Sequence, residues 1–250
     1  QLTSHQGTVI SPAISGDGSK ILYSLIRNET SKTRNINLYL YDLNTGKSEM
    51  ISSRSGINSG AVFMPGDREI ALTLSHEGNA EIYIMNLATK ALRPVTSHFA
   101  ADVDPSIAPN GSLMTFLSGR PGKAMIYTLD PSGVEKNVTR IGFVGRFNAT
   151  PRFSPDSKLI AFASWMDESF DIFRLNADGS NLSRLTKDFG SNEDPDFSND
   201  GEFISFSSQQ VISVKSAVQN IYIMDLEGEI IGSVTKNYGN CITPRWSKSP

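Results

Sequence analysis

Several kinds of residue are scarce in this chain of 250 residues. It has one cysteine, Cys241, which excludes an intramolecular disulfide and a cysteine metal cluster. No apolar run approaches the roughly 18 residues of a membrane-spanning helix, so the chain is not expected to span a membrane. Lysine and arginine number 23 against 26 acidic residues, and no basic stripe predicts a nucleic-acid partner.

The motifs of the common catalytic sites are also absent. The chain has no G-x-S-x-G and no P-loop, and His76-Glu77 lacks the second histidine of H-E-x-x-H. Paired carboxylates such as Asp167 and Glu168 fall in predicted hairpin turns, where they are typical turn formers. These absences predict a protein that is not an enzyme and that holds no cofactor.

The chain does contain an internal repeat. Five segments each join a short motif, a Gly/Asp/Asn turn and an apolar strand: SPAISGDGSKILYSL at 11–25, GAVFMPGDREIALTL at 60–74, DPSIAPNGSLMTFLS at 104–118, TPRFSPDSKLIAFAS at 150–164 and DPDFSNDGEFISFSS at 194–208. Together with TPRWSKS at 243–249 they place an apolar residue at Ile14, Phe63, Ile107, Phe153, Phe197 and Trp246. The gaps are 49, 44, 46, 44 and 49 residues. A period of about 40–50 residues with several strands per unit is typical of a β-propeller blade.

Each repeat divides into four predicted strands separated by Gly, Asn and Asp, as expected of antiparallel hairpins. An immunoglobulin-like sandwich does not repeat a unit of this length, and solenoid units are shorter. Blades are predicted over about residues 11–53, 60–97, 104–140, 150–187 and 194–236 of a single domain, 1–250.

A sixth, incomplete blade is predicted from the two ends of the chain. QLTS at 1–4 matches fourth-strand endings such as PVTS at 94–97, and residues 242–246 match a first strand. The fold prediction is therefore an all-β, six-bladed propeller of four-stranded antiparallel blades, with the sixth blade shared between the N- and C-termini. The two strands between them, roughly 20 residues, are expected upstream of Gln1 or are replaced by loops.

The turn motifs resemble those of the TolB family, periplasmic propellers of the Tol–Pal envelope system. The motifs are SPDSK at 154–158, APNGS at 108–112, SGDGS at 15–19 and SNDGE at 198–202, with third strands IYIMDL at 221–226 and IYIMNL at 82–87. The ending PRWSKSP at 244–250 is similar to the closing motif of the family. MPGDR at 64–68 departs from the pattern, since its Gly and Asp are exchanged.

The resemblance implies a function and a location. The family binds the peptidoglycan-associated lipoprotein on one propeller face, contacts other Tol proteins and contributes to outer-membrane integrity. It carries a small α/β domain ahead of the propeller, which is then expected to be missing from this chain. We accordingly expect a monomeric, non-catalytic, protein-binding propeller in the periplasm.

The loops that lead into the first strands are expected to form one rim of the propeller, and recognition residues concentrate in such loops. Separate acidic and basic sectors on this rim would orient a charged partner, with apolar anchors beside them. The candidate partner-binding residues are Ile57, Asn58, Asp102, Asp104, Arg146, Phe147, Asn148, Arg152, Glu193, Asp194 and Arg245.

Other interpretations of the sequence stay open. Asp102, Asp104, Glu193 and Asp194 would offer a weak calcium site in the channel, although calcium needs six to eight oxygens and these come from two separated blades. The same repeat occurs in accessory propellers that gate substrate access in prolyl-oligopeptidase-like or tricorn-like hydrolases. A lyase or sugar-binding propeller would need converging histidines, and the chain has three scattered ones.

Overall fold

The computed structural model describes residues 2–3, 5–27, 36–213, 216–236 and 238–247. Every regular element in these ranges is a β-strand. Nowhere in the ranges described does a helix have the length and apolar character needed to cross a membrane.

In the part of the chain that the structure describes, twenty strands form five four-stranded sheets. In each sheet the strands are antiparallel and follow sequence order from first to fourth. Blade 1 comprises β1 (Thr8–Ile14), β2 (Lys20–Ile26), β3 (Ile36–Asp42) and β4 (Lys47–Ser52), and blade 2 comprises β5 (Asn58–Phe63), β6 (Glu69–Leu74), β7 (Glu81–Asn86) and β8 (Leu92–Pro94). Blade 3 comprises β9 (Asp102–Ile107), β10 (Met114–Ser118), β11 (Met125–Leu129) and β12 (Thr139–Arg140), and blade 4 comprises β13 (Asn148–Phe153), β14 (Leu159–Met166), β15 (Ser169–Asn176) and β16 (Ser183–Arg184). Blade 5 comprises β17 (Ser191–Phe197), β18 (Phe203–Ser213), β19 (Ser216–Asp225) and β20 (Ile230–Ser233).

Side-chain hydrogen bonds fix the turn between the first and second strands. In blade 4, the Asp156 carboxylate accepts from the Ser154 hydroxyl at 2.6 Å and from the Lys158 backbone N–H at 3.0 Å. This is the local competition with secondary structure that makes Asp and Ser strong turn residues. In the exchanged motif at 64–68 the aspartate side chain bonds to another blade instead of within its own turn. The Asp67 carboxylate accepts from the backbone N–H groups of Gly16 and Asp17 in blade 1, at 2.9 and 3.2 Å.

The hydrophobic core lies between successive blades rather than within one. Leu22 and Leu38 of blade 1 pack with Ile70 and Leu72 of blade 2, and equivalent clusters join blades 2 and 3, 3 and 4, and 4 and 5. Both faces of a sheet therefore need an apolar partner, which explains why the second and third strands are apolar nearly throughout.

The predicted sixth blade is wrong as a sheet, because the described residues form five sheets and the described residues at the two chain ends belong to no strand. Among residues 1–4, Gln1 and Ser4 lie outside the described residues. The neighbouring His5 packs its ring against Tyr23 and Tyr39, at centroid distances of 5.7 and 5.2 Å.

The C-terminal segment does lie where a sixth first strand belongs. The Trp246 backbone N–H donates to Asp196 of β17 at 2.8 Å, and Arg245 Nε donates to the Pro12 carbonyl of β1 at 2.9 Å. The segment 241–247 thus lies between blades 5 and 1. In each of the five sheets a first strand pairs with its own second strand, and within the described residues this segment has no such partner, so it lacks a ladder.

Candidate functional site: the central channel and its rim

The first strands surround the axis, and each carries one residue in the left-handed region. Its φ lies between 48° and 60° at all six places: Ser11, Gly60, Asp104, Thr150, Asp194 and Thr243. In the five sheets the first-strand register shifts at this point, which is the signature of a β-bulge. Thr243 has the same conformation without a sheet, so the C-terminal segment repeats the backbone of a first strand.

We call the end of the propeller that holds the first-to-second turns the turn face. A cavity of ≈ 540 Å³ opens there. The six apolar residues of the sequence repeat all line it: Ile14, Phe63, Ile107, Phe153, Phe197 and Trp246. The repeat in the sequence therefore becomes an apolar ring around the axis.

We call the opposite end, where the connections between blades lead into the first strands, the loop face. A smaller cavity of ≈ 210 Å³, the channel cavity, lies on that side of the axis. Four charged residues line it, at successive positions around the axis and with alternating sign: Asp104, Arg152, Asp194 and Arg245. The other blades contribute small or apolar residues, including Ser11, Ser59, Gly60 and Ile57.

Burial shifts the ionisation of the charges in this half of the channel. It raises the pKa of Asp194, against the lowering effect of Arg245 and Arg152, and it raises the pKa of Asp196 in the same way. It also raises the pKa of Glu193, and the neighbouring Asp194 adds to the rise. The pKa of Arg245 is lowered by burial first and by Arg152 second. The charges are therefore only partly compensated by one another.

Besides Arg152 of the channel cavity, three of the predicted rim residues are buried, and these three bond within the scaffold. Asn58 is fully buried, and its carboxamide accepts from the Ser52 hydroxyl at 2.6 Å and donates to the Ile36 carbonyl at 2.9 Å. Asn148 is 2 % exposed and donates to the Val144 carbonyl at 2.9 Å. These side chains tie a first strand to the neighbouring loops and offer no accessible surface to a partner.

Asp102 is the third buried member of the set. Its carboxylate is fully buried and pairs with Arg120 at 2.7 Å, and Arg120 also reaches Glu135 at 2.9 Å. Burial raises the pKa of Asp102 although Arg120 lowers it. Since Asp102 is engaged in this ion pair, it does not join Asp104, Glu193 and Asp194 around a calcium ion. Within the described residues no group of three or more His, Cys, Asp or Glu is placed to hold a metal.

The remaining predicted residues divide between the channel and the loop face. Ile57, Asp104, Arg152, Asp194 and Arg245 line the channel cavity. Arg146 and Phe147 are exposed at the rim, with Phe147 38 % exposed, and Glu193 is half-buried beside Asp194. A partner-binding role for these eight residues stays a prediction.

An aromatic cluster on the loop face was not predicted. Phe147 stacks on Trp165 at a centroid distance of 5.7 Å, and Phe170 meets both rings edge-on at 5.3 and 5.2 Å. The sequence signal is the run WMDESF at 165–170, in which two aromatics flank a turn. Cross-strand pairing of Trp165 with Phe170 brings the rings together next to the loop that carries Phe147.

A family model matches most of this chain. The profile of the TolB beta propeller domain matches residues 1–210. The Tol-Pal system protein TolB of Francisella tularensis subsp. holarctica (strain OSU18) is 28% identical over 249 residues, which cover 96% of this chain and 54% of that protein. The chain thus spans about half the length of the curated relatives it matches.

Two solved structures are similar along nearly the whole chain. The crystal structure of TolB from Acinetobacter baumannii superposes with a TM-score of 0.80 at 26% identity, covering 98% of this chain and 58% of that one. The structure of putative TolB from Agrobacterium tumefaciens superposes with a TM-score of 0.78 at 22% identity, covering 98% and 88% respectively. The second likeness concerns the fold alone.

Proposed function

Since the chain belongs to the TolB beta propeller domain family, we propose that it is a non-catalytic protein-binding platform of the Tol–Pal system in the periplasm. Its partner is the peptidoglycan-associated lipoprotein, held on the loop face, and its role is in outer-membrane integrity. The family match over residues 1–210 is the observation that carries this proposal. The relatives named Tol-Pal system protein TolB support the same system.

The chemistry of the loop face supports its assignment as the docking surface. Phe147 and Trp165 supply rigid aromatic area, and the exposed Arg146 lies beside them. Aromatic residues and arginine are the types most enriched among the energetic contacts of protein interfaces. The acidic Glu193 and Asp194 lie in the next blade, so partner charges of both signs would find a counterpart.

The accessory role in a hydrolase is not favoured. The relatives that match the chain are named Tol-Pal system protein TolB. We expect a monomer, which sedimentation of the purified chain measures directly.

The test is binding of the soluble domain of the peptidoglycan-associated lipoprotein, measured by calorimetry. Arg146→Glu combined with Phe147→Ala is expected to weaken binding at least about 30-fold, the effect of a 2 kcal/mol hot spot. The control is Lys158→Glu on the turn face, whose side chain is 79% exposed and which should bind like the natural chain. Circular dichroism verifies that each variant is folded.

The two parts of the proposal fail separately. Absence of binding by the unaltered chain would refute the proposed partner. Binding that survives the loop-face variant but is lost in Lys158→Glu would move the interface to the turn face.

A further inference from the structure

The channel cavity contains two arginines whose shortest hydrogen bonds go to backbone carbonyls. Arg152 Nη1 donates to the Pro151 carbonyl at 2.7 Å, and Arg245 Nη1 donates to the Pro244 carbonyl at 2.7 Å. The only ion pair of Arg152 among the described residues is with Asp104, at 3.4 Å, and Arg245 forms none there. The guanidinium groups are thus held in place by the backbone while their charges are left weakly paired.

Buried polar atoms without partners lie at the same place. Arg152 is 8% exposed, and its Nε has no hydrogen-bond partner among the described residues. The buried Oγ1 of Thr150, also lining the cavity, lacks one as well. Most buried polar side-chain atoms in proteins are hydrogen-bonded, so these two atoms, on residues that line one cavity, leave hydrogen-bonding capacity for a bound polar group.

The charge pattern selects the chemical class of that ligand. Asp104, Arg152, Asp194 and Arg245 alternate in sign and sum to zero. An anion near the arginines would also face two carboxylates, and a cation near the carboxylates would also face two guanidinium groups. A small molecule that carries both charges a short distance apart places each charge against one member of an adjacent arginine–aspartate pair.

We propose that the channel cavity binds a small zwitterion of the α-amino-acid class, with its carboxylate against Arg245 and its ammonium group toward the adjacent Asp194. The volume of ≈ 210 Å³ admits such a ligand with a small side chain. Thr150 Oγ1 and Arg152 Nε gain hydrogen-bond partners in the complex. The raised pKa of Asp194 and the lowered pKa of Arg245 indicate buried charges that such a ligand would help to compensate.

The site shares Asp194 with the proposed docking surface, but its ligand is a small molecule, and Thr150 and Arg245 lie in the channel rather than in the aromatic cluster, so the two are tested separately. It is tested by calorimetric titration of the chain with glycine and L-alanine. Acetate, methylammonium and calcium chloride serve as single-charge probes. Glycine or alanine is expected to bind at least tenfold more tightly than acetate or methylammonium.

Two variants locate the binding. Arg245→Gln removes one guanidinium and is expected to weaken glycine binding at least tenfold. Thr150→Val is nearly isosteric and should weaken it severalfold while the fold is retained, so the site remains testable even where Arg245→Gln fails to fold. Lys158→Gln on the turn face is the control and should bind glycine as the natural chain does.

The opposite results overturn the proposal. These are no saturable binding of either amino acid, acetate or methylammonium binding as tightly as glycine, calcium as the only ligand that binds, or glycine binding that Thr150→Val and a folded Arg245→Gln leave unchanged.

Discussion

Two groups of aspartates in this chain have opposite pKa shifts. Serine hydroxyls and backbone N–H groups stabilise the carboxylate of Asp156 and Asp200 in the first-to-second turns and lower the pKa of each. In the channel, burial raises the pKa of Asp194 and Asp196. Since a lowered pKa contributes stability that is lost on acidification and a raised pKa has the reverse sign, the two groups oppose each other as the pH falls.

Asp130 is expected to remain ionised in moderately strong acid. The side chain of Lys136 and then the hydroxyl and backbone N–H of Ser132 lower its pKa from 3.8 to about 2. Its contribution to stability is therefore complete above 3.8 and disappears as the pH falls through about 2. Carbon NMR of the carboxyl group measures the titration, and Lys136→Met should raise the pKa. As a control, Lys158→Met should leave the titration of Asp130 unchanged. A pKa of Asp130 near 3.8 in the natural chain would contradict the prediction.

Arg120→Ala is expected to be strongly destabilising. It leaves the fully buried Asp102 carboxylate without its counter-ion, a change that typically costs about 3–5 kcal/mol. Burial already raises the pKa of Asp102, and loss of Arg120 raises it further, so protonation relieves the defect and the loss should shrink as the pH is lowered.

Urea unfolding at pH 7 and pH 5 measures the effect of Arg120→Ala. Arg68→Ala, at an exposed position, is the control and should stay within about 0.5 kcal/mol of the natural chain. A loss below about 1 kcal/mol for Arg120→Ala at pH 7 would mean that the pair contributes no more than a surface salt bridge.

At the scale of single residues the sequence predicted that the six apolar repeat positions are equivalent, but not how deeply each side chain is buried. Ile14 to Trp246 line one cavity because a period of one blade places equivalent residues at equivalent points around the axis. Asn58, Asp102 and Asn148 precede the left-handed residue of a first strand by two positions, and the sequence gives no sign that they turn into the sheet. Their partners lie in other segments, such as Arg120 for Asp102, and only the fold brings them together.

One turn brings neighbouring blades into close approach. Gly228, between β19 and β20, has a φ of 95°, and a Cβ added there would lie 2.3 Å from the Leu185 carbonyl oxygen after β16. Gly66, between β5 and β6, has a φ of 87° and no atom within 4 Å of the same position. Comparing Gly66 with Gly228 therefore distinguishes the cost of backbone strain from the cost of a close contact between blades.

Replacing each of these two glycines by alanine should lower stability by different amounts. Gly66→Ala should cost about 1–2 kcal/mol, the penalty of an L-residue in the left-handed region. Gly228→Ala should cost about 1–3 kcal/mol more, because the Leu185 backbone must move. Thermal unfolding of the two variants measures the difference in stability between them. Equal losses of stability would mean that the backbone at the contact between blades 4 and 5 moves without cost.

At the scale of elements the sequence predicted the five sheets well and the sixth poorly. Alternation and turn residues are local signals, and they identify strands that pair with their neighbours in sequence. The sixth blade depended on pairing between the two ends of the chain. Residues 242–247 occupy the expected place. They form no β-ladder with a second strand, however, and a segment without a ladder is not a β-strand, although its sequence resembles one.

The whole ring depends on how the space between blades 5 and 1 is bridged. Blades 1 to 5 are joined by four shared apolar clusters. Between β17 and β1, the contacts of the C-terminal segment include the bond from Trp246 to Asp196 and the bond from Arg245 to Pro12. Stability of the ring should thus be sensitive to the last few residues.

Removal of residues 242–250 should lower the midpoint of thermal unfolding and speed backbone hydrogen exchange in β1 and β17 selectively. The reason is that Asp196 and the Pro12 carbonyl lose their donors. The matched control removes only residues 248–250 and keeps Arg245 and Trp246. Uniform exchange in all five blades, or an unchanged midpoint, would show that the segment does not bridge the ring.

Tension on the C-terminus would act on this bridge before it acted on any sheet. Residues 242–247 form no β-ladder. The bonds from Trp246 to Asp196 and from Arg245 to Pro12 are fewer than the hydrogen bonds of a complete hairpin such as β18–β19. In a single-molecule pulling experiment the segment should detach at low force as a short first extension, and the five blades should rupture only later. Under load the C-terminal segment would then be released first, and the five blades would remain folded as an open ring.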